Sequence, residues 1–215
     1  MIPRSGIQRT LSWDWYPGNV PENAVIDETA YIETTFSFYF YRSQKLAGVE
    51  YGRGASTYLG TMFDVGPNGQ VKLGDYALVH GARIICDAEV IIGQYALISW
   101  NVVLMDTYRV PLNPAARREE LRRVPMRSLR LACADVPARP VRIERNVWIG
   151  FDSVVLPGVT VGEGSIVGAR SVVTENVPAF TIVAGNPARV IRRIESEEAR
   201  TSHSSTLHPF NSSTD

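Results

Sequence analysis

Histidine is the side chain best suited to move a proton near neutral pH, and this chain has three of them. His203 and His208 lie in a stretch rich in Ser and Thr near the end of the chain. This leaves His80 as the main candidate for a general base. The alternative interpretation makes His80 an interior residue that is hydrogen-bonded in the core, and the sequence leaves both interpretations open.

Two charged residues further along the chain are the next candidates for a catalytic or ligand-binding role. Asp106 could act as a base if its pKa were raised, or orient a substrate, but it could equally cap its own turn. Arg109 stays protonated at neutral pH, so it cannot be a base, although it could hold an anion. It lies in residues 107–140, where eight Arg face three acidic residues, which favours an anionic ligand unless this is a solvated surface.

A repeat of six residues, plain from residue 143 onward, predicts the elements that position these side chains. Every hexad starts with Ile or Val and has a small or β-branched residue in fifth place, in the run Ile143-ERNVW, Ile149-GFDSV, Val155-LPGVT, Val161-GEGSI, Val167-GARSV, Val173-TENVP. A period of six with two inward positions requires a short strand and a corner, three times per turn. The pattern predicts an all-β fold, a left-handed parallel β-helix of triangular cross-section.

The same count runs less regularly through residues 20–37 and 73–105, and it puts His80 in the inward first place of its hexad. It does not place residues 38–70, which are rich in aromatic residues and Gly. Residues 107–140 carry no repeat and are predicted to form a loop that protrudes from the prism.

The chain is predicted to form one β-helix domain over residues 20–194, after an N-terminal extension at residues 1–19. Asn186-Pro187 is typical of a helix N-cap followed by the first helical position, so a short C-terminal helix is expected from about residue 187. Residues 195–215 are expected to be the end of this helix and a disordered tail.

The composition argues against several classes of partner. Lys and Arg together number 22, as do Asp and Glu, so no binding to nucleic acid is expected. No apolar stretch is long enough to span a membrane, and the first residues lack the apolar core of a signal peptide. Cys86 and Cys133 lack metal-ligand spacing, so no metal is expected, and two unpaired thiols favour the cytoplasm.

Four motifs in residues 141–194 carry a family resemblance: Asn146-Val147-Trp148-Ile149-Gly150, Leu156-Pro157-Gly158-Val159, the run 168–174 (GARSVVT), and the run 184–192 (AGNPARVIR). This stretch resembles the hexapeptide-repeat acyltransferases, in the branch of the maltose, galactoside and nodulation-type O-acetyltransferases. The resemblance implies a homotrimer. It also implies that coenzyme A, the carrier of the acyl group, lies in the groove between neighbouring prisms, with the acceptor at its inner end.

The resemblance also implies roles for individual residues. Trp148 and Phe151 would flank the coenzyme A arm, and Ala169 and Thr174 would contact its pantetheine or adenine end. Arg189 and Arg192 would face its phosphates. Asn101 and Arg109 are predicted to contact the acceptor, although the guanidinium of Arg109 could instead hold a phosphate of the cofactor.

Two departures from the family pattern affect this assignment. Glu175 stands where the family often has Lys, which removes one expected partner of the phosphates. The histidine that serves the family as base falls at or near Arg109, which leaves His80 and Asp106 as catalytic candidates. His80 falls near a substrate-contacting Asn of the family.

The sequence therefore predicts an acyltransferase that uses acetyl-coenzyme A to acylate a hydroxyl of a saccharide or a similar small acceptor. One alternative is an N-acyltransferase acting on a nucleotide-linked amino sugar, because an amine needs less help from a base than a hydroxyl does. The other is a hexapeptide-repeat scaffold that has lost its activity.

Overall fold

The computed structural model of the protein describes residues 9–123 and 136–195. The chain winds through about seven turns, and its short strands fall into three sheets. Within each sheet, strands of successive turns pair in parallel, and among the described strands only the last one runs antiparallel. This is the left-handed parallel β-helix that the hexads predict, with the three sheets as the faces of a prism.

The strands are two to five residues long. Sheet A contains β1 (Ala24–Ile26), β3 (Val49–Tyr51), β6 (Gln70–Leu73), β9 (Glu89–Ile92), β12 (Val141–Ile143) and β15 (Thr160–Val161). Sheet B contains β2 (Tyr31–Ile32), β4 (Ser56–Tyr58), β7 (Leu78–His80), β10 (Leu97–Ile98), β13 (Trp148–Ile149), β16 (Ile166–Val167), β18 (Thr181–Ala184) and β19 (Arg189–Arg193). Sheet C contains β5 (Met62–Val65), β8 (Arg83–Cys86), β11 (Val103–Met105), β14 (Val154–Val155) and β17 (Val172–Val173).

The interior of the prism is filled by the two inward places of each hexad. The first-place side chains from residue 143 onward are at most 1% exposed: Ile143, Ile149, Val155, Val161, Val167, Val173. In the fifth place, the buried hydroxyls of Ser153 and Ser165 donate to backbone oxygens of the next coil, Gly168 O at 3.0 Å and Pro178 O at 2.6 Å. A buried hydroxyl with such a partner costs little, so Ser can stand there in place of Val.

Residues 38–70, which the hexad count does not place, contain β3, β4 and β5 of the same three sheets. A 3-10 helix, Thr35–Phe38, leads into this region, and Phe38 stacks on Phe63 of β5 with ring centroids 5.4 Å apart. Residues 9–19 pack on the first coil, where Trp13 stacks on Tyr31 at 5.7 Å.

His80 is not an interior residue. It ends β7, whose inward residue is the fully buried Val79, so its side chain lies on the outer face of sheet B. Leu73 and Val79 are six residues apart, and the next inward strand residue, Ile84, follows after only five. The irregular corner thus lies after His80 rather than before it. The expectation that His80 takes a first place is wrong, and so is its interpretation as a core histidine.

The predicted helix from about residue 187 is also wrong, because Arg189–Arg193 form β19, which pairs antiparallel with β18. Gly185, at a φ of +101°, lies in the turn that reverses the chain. The unpaired edge of β18 and the β-branched pair Val190-Ile191 favour a strand over a helix here. Residues 196–215, expected to be the helix end and tail, lie outside the described residues.

The expected loop at residues 107–140 contains the helix α1 (Pro114–Arg123), which Asn113 caps by accepting the N–H groups of Ala115 and Ala116. Residues 124–135 of this segment lie outside the described part of the chain. Across the ranges that are described, no helix combines the length and the hydropathy that a membrane crossing requires.

Candidate active site

Two edges of the prism carry most of the candidate site residues. We call the corner at which sheet B turns into sheet C the His80 edge; it comprises Leu59–Gly60, His80–Gly81, Trp100–Asn101, Phe151–Asp152 and Ala169–Arg170. We call the corner at which sheet C turns into sheet A the Asp106 edge; it comprises 66–69, Asp87–Ala88, Asp106, 156–159 and 174–176. Residues on one edge lie in successive coils, whereas the two edges are separated by the width of sheet C.

At the His80 edge, the imidazole of His80 lies between aromatic rings. The ring of His80 lies edge-on to Tyr58 at 5.9 Å and to Trp100 at 6.1 Å, and Trp100 stacks on Phe151 at 5.3 Å. Within residues 9–123 and 136–195, no group hydrogen-bonds to the His80 ring. Because the side chain is also partly exposed, both ring nitrogens are available to a ligand.

Asn101 and Ala169 lie on the same edge as His80. Asn101 adopts a φ of +57° at its corner, and its N–H donates to the carbonyl oxygen of Gly81 at 3.0 Å, which fixes it one coil above His80. Its Nδ2 donates to Asp152 Oδ1 at 3.2 Å. The structure therefore brings together four of the predicted site residues, His80, Asn101, Phe151 and Ala169.

Trp148, Arg189 and Arg192 lie on the adjoining outer face of sheet B. Trp148 pairs with Ile166, Ile166 with Ile182, and Ile182 with Arg192, so the indole and the guanidinium are on one row across four strands. Arg189 is paired with Ala184 in the next row. Trp148 is 47% exposed, and both Arg side chains are exposed.

Ser99 is a polar residue of this face that the sequence analysis missed. Its hydroxyl oxygen accepts a hydrogen bond from Trp148 Nε1 at 3.2 Å. Because Ile98 of β10 pairs with Val79 of β7, Ser99 follows at the position next to His80. A signal existed: Gly150 and Gly168 occupy the equivalent place in the next two coils, and Ser99 departs from that pattern.

Asp106 is fully buried and holds the neighbouring coil. Its carboxylate accepts the backbone N–H groups of Asp87, Ala88 and Glu89 at 2.7 to 3.1 Å. Burial raises the pKa of this carboxyl. A carboxylate that caps three backbone donors and has no exposed surface does not reach an acceptor, so the geometry favours the structural interpretation of Asp106.

Arg109 is likewise occupied by contacts within the chain. Its guanidinium forms ion pairs with Asp64 and, at 2.7 Å, with Asp87, and its side chain is 14% exposed. Burial by itself would raise the pKa of Asp64, but hydrogen bonds from Arg83 and Arg109 outweigh it and lower that pKa. Arg109, at or near which the resemblance places the family's histidine, is therefore part of a charge cluster that anchors the start of the loop.

Thr174 is exposed at the Asp106 edge, apart from the other predicted coenzyme A contacts. Near it, an apolar pocket of about 520 Å³, open to solvent, lies between Tyr108, Leu112 and Val136 of the loop and Pro157 of the prism. No cluster of three or more His, Cys, Asp or Glu that could hold a metal ion occurs in the ranges that the structure describes.

Comparison with known proteins agrees with this architecture. Residues 140–175 match the family model of the bacterial transferase hexapeptide, which comprises six repeats. A protein of Schizosaccharomyces pombe that is named as an acetyltransferase is 55% identical over 58 residues, which are 27% of this chain and 28% of that protein. The galactoside O-acetyltransferase of Escherichia coli is 34% identical over 136 residues, 63% of this chain and 59% of that enzyme. The chain thus covers less than two thirds of the length of either relative.

Among solved structures, a hexapeptide-repeat acetyltransferase of Vibrio cholerae in complex with acetyl-coenzyme A superposes with a TM-score of 0.56. The match has 26% sequence identity and covers 67% of this chain and 70% of that chain. Repeat, sequence and fold lead to the same assignment. The chain contains the hexapeptide-repeat domain of bacterial transferases and is a homologue of the hexapeptide-repeat acetyltransferases.

Proposed function

We propose that this protein transfers the acetyl group of acetyl-coenzyme A to a hydroxyl of a saccharide. The observation that carries the proposal is the order of side chains along the prism axis: Arg189 and Arg192 on β19, then Trp148 on β13, then His80 on β7. Five strand spacings of about 4.8 Å separate β19 from β7, so this track is ~24 Å long. An extended phosphopantetheine arm, bound by its phosphates at one end, can place its thioester near the other.

The side chains of the track suit the parts of coenzyme A that would meet them. Arg189 and Arg192 are exposed and can donate planar, charged hydrogen bonds to phosphate oxygens. The exposed indole of Trp148 offers an apolar surface to the pantetheine chain. His80 lies at the far end with its ring nitrogens available to an acceptor.

In the proposed reaction, His80 accepts the proton of the acceptor hydroxyl while the acceptor oxygen bonds to the thioester carbonyl carbon. The carbon–sulfur bond then breaks, the protonated His80 returns the proton to the leaving sulfur, and free coenzyme A is released. Asn101, one coil away, is placed to orient the acceptor. We assign the reaction to the cytoplasm, because two cysteines without metal-ligand spacing favour a reducing compartment.

We also propose that the working unit is a homotrimer. Thr174 is on the Asp106 edge, and it can join the other predicted coenzyme A contacts only if it meets the His80 edge of another prism. Trp100 and Trp148, 48% and 47% exposed, provide apolar surface that such a contact would cover. Light scattering should give three times the chain mass at micromolar concentration, and a monomer mass would contradict this arrangement.

N-acylation of a nucleotide-linked amino sugar is the second candidate, and the state of Arg109 favours it. Arg109, at or near which the family's histidine falls, is held by two aspartates and cannot act as a base. An amine attacks a thioester with less help from a base than a hydroxyl needs.

Both candidates are tested by one assay. The purified protein is given acetyl-coenzyme A with a panel of neutral sugars, amino sugars and nucleotide-linked amino sugars, and release of the free thiol is followed. We expect release with hydroxyl sugars; release only with amino sugars would select the second candidate. Coenzyme A binding without release on any acceptor would identify a scaffold instead of an enzyme.

A further inference from the structure

Ser99 occupies a position on sheet B at which the next two coils along the axis have glycine. The residue after the inward one is His80 in β7's coil, then Ser99, and then Gly150 and Gly168 in the next two coils. Parallel pairing puts Ser99 one strand spacing, about 4.8 Å, from His80. The two polar groups are therefore neighbours at the end of the track, and the two glycines leave the row of Ser99 free of side chains in the next two coils.

The hydrogen bond to Trp148 determines what the Ser99 hydroxyl can do. The oxygen accepts the indole N–H at 3.2 Å, so its own hydrogen remains to be donated. Within residues 9–123 and 136–195, this hydroxyl makes no second hydrogen bond. Ser99 is only 8% exposed, and a fixed donor in such a desolvated place stabilises a developing negative charge more than a donor in water does.

The position of Ser99 along the track matches the position of the thioester. Arg189 pairs with Ala184, which stands in the same row as Gly168, Gly150 and Ser99. Four strand spacings of about 4.8 Å place Ser99 ~19 Å from Arg189 and one spacing short of His80. A carbonyl attacked by an acceptor that His80 deprotonates would lie between the two residues.

We infer that Ser99 is a catalytic residue that stabilises the oxyanion of the acyl transfer, an inference that rests on the proposed function. Its Oγ–H donates to the thioester carbonyl oxygen, which gains the electron pair of the carbonyl π bond as the acceptor adds. This hydrogen bond weakens again when the carbonyl re-forms and the carbon–sulfur bond breaks, and the serine keeps its hydrogen throughout. Trp148 holds the serine oxygen, so one indole both flanks the pantetheine arm and orients the donor.

The test compares three variants in the thiol-release assay, with the best acceptor of the sugar panel. Ser99→Ala removes the donor and should lower kcat by about a hundredfold or more, the usual cost of losing one oxyanion donor, with KM for acetyl-coenzyme A nearly unchanged. Ser99→Thr keeps the hydroxyl and should recover most of the rate. Trp148→Phe keeps a ring and removes only the N–H, so its kcat should fall by about tenfold or less. Ser56→Ala, a serine of the same sheet two coils away, is the matched control and should behave as the wild type.

Three outcomes would overturn the inference. If Ser99→Ala and Trp148→Phe lower kcat equally, the serine only anchors the indole. If mass spectrometry finds an acetylated Ser99 peptide after incubation with acetyl-coenzyme A alone, the serine is a nucleophile. If Ser99→Ala lowers the unfolding midpoint or breaks the oligomer to the same extent as the rate, its role is structural. A wild type that releases no thiol on any acceptor is a separate result, since it rejects the proposed function itself and the inference with it.

Discussion

The His80 edge and the Asp106 edge are built by the same repeat, yet their polar groups are in opposite states. On the Asp106 edge, the carboxylate of Asp106 caps three backbone N–H groups, and Arg109 is paired with Asp64 and Asp87. On the His80 edge, the His80 ring has aromatic neighbours, and next to it on sheet B Ser99 keeps a hydrogen to donate. Proton transfer requires groups whose hydrogen-bonding capacity is still available, as it is at His80 and is not at Asp106 or Arg109.

This difference separates two uses of charged residues that a sequence does not distinguish. A buried ion pair contributes chiefly by avoiding the cost of an unpaired charge, so removing one partner destabilises the fold. A half-exposed group without a partner adds little to the fold, so its removal affects function alone. Variants on the two edges should therefore separate stability from turnover.

The largest effect is expected from Arg109→Ala. It leaves Asp87 without its guanidinium, while the buried Asp64 keeps Arg83 and Arg42, so the free energy of unfolding should fall by about 3 kcal/mol, the lower end for a broken buried pair. Denaturant unfolding measures this change, with Arg170→Ala, whose side chain is 77% exposed, as a control expected to have no measurable effect. Unchanged stability with lost turnover would assign Arg109 to the substrate and reverse the comparison.

His80→Asn should lower the maximal rate by about a hundredfold or more, the usual effect of losing a general base, and leave coenzyme A affinity nearly unchanged. Because the ring is on the outer face, the unfolding midpoint should change little. Asp106→Asn should affect the rate less and the stability more. If His80→Asn leaves the rate intact, the proton is removed by the substrate's own groups or by water, and the amine acceptor is favoured.

Arg189→Ala combined with Arg192→Ala should weaken coenzyme A binding by about tenfold or more, as expected for lost charged hydrogen bonds to phosphate. Calorimetry with free coenzyme A measures it without an acceptor. Arg193→Ala is the matched control, because Arg193 pairs with the buried Thr181 and so is not in the row of Arg192 and Trp148. Equal affinities for the double variant and the wild type would remove these arginines from the site.

The smallest effect is a dependence of stability on acid pH. Asp64 has a lowered pKa in the folded protein, so its contribution to stability is present above the usual Asp pKa of about 4 and is lost as the pH falls through its folded value. Urea unfolding between pH 6 and about pH 3 should therefore show a steeper loss for the wild type than for Asp64→Asn. Parallel curves would mean that Asp64 is not stabilised in its charged form.

The sequence predicted the fold and the inward residues from residue 143 onward because the hexads there run without a break. The hexad count misplaced His80. The corner between Val79 and Ile84 is one residue short, and the sequence alone does not show whether the irregularity lies before or after His80. It did not reveal the role of Asp106, whose hydrogen-bond partners lie a full coil earlier in the chain and are brought near only by the winding. The helix signals at Asn186-Pro187 are local, whereas the strand that forms there depends on the open edge of β18.

That strand has a consequence for the length of the molecule. A stack of parallel coils ends in unpaired backbone groups, onto which another prism could add its own coils, so that fibres would grow. Among the described residues, β19 is the edge strand of sheet B at this end of the stack, and it runs in the opposite direction with all five of its side chains exposed and three of them arginine. A second molecule approaching end to end would meet a strand that runs in the opposite direction and carries positive charges. This short arginine-rich strand thus helps to prevent end-to-end association of a repeat that could otherwise continue indefinitely.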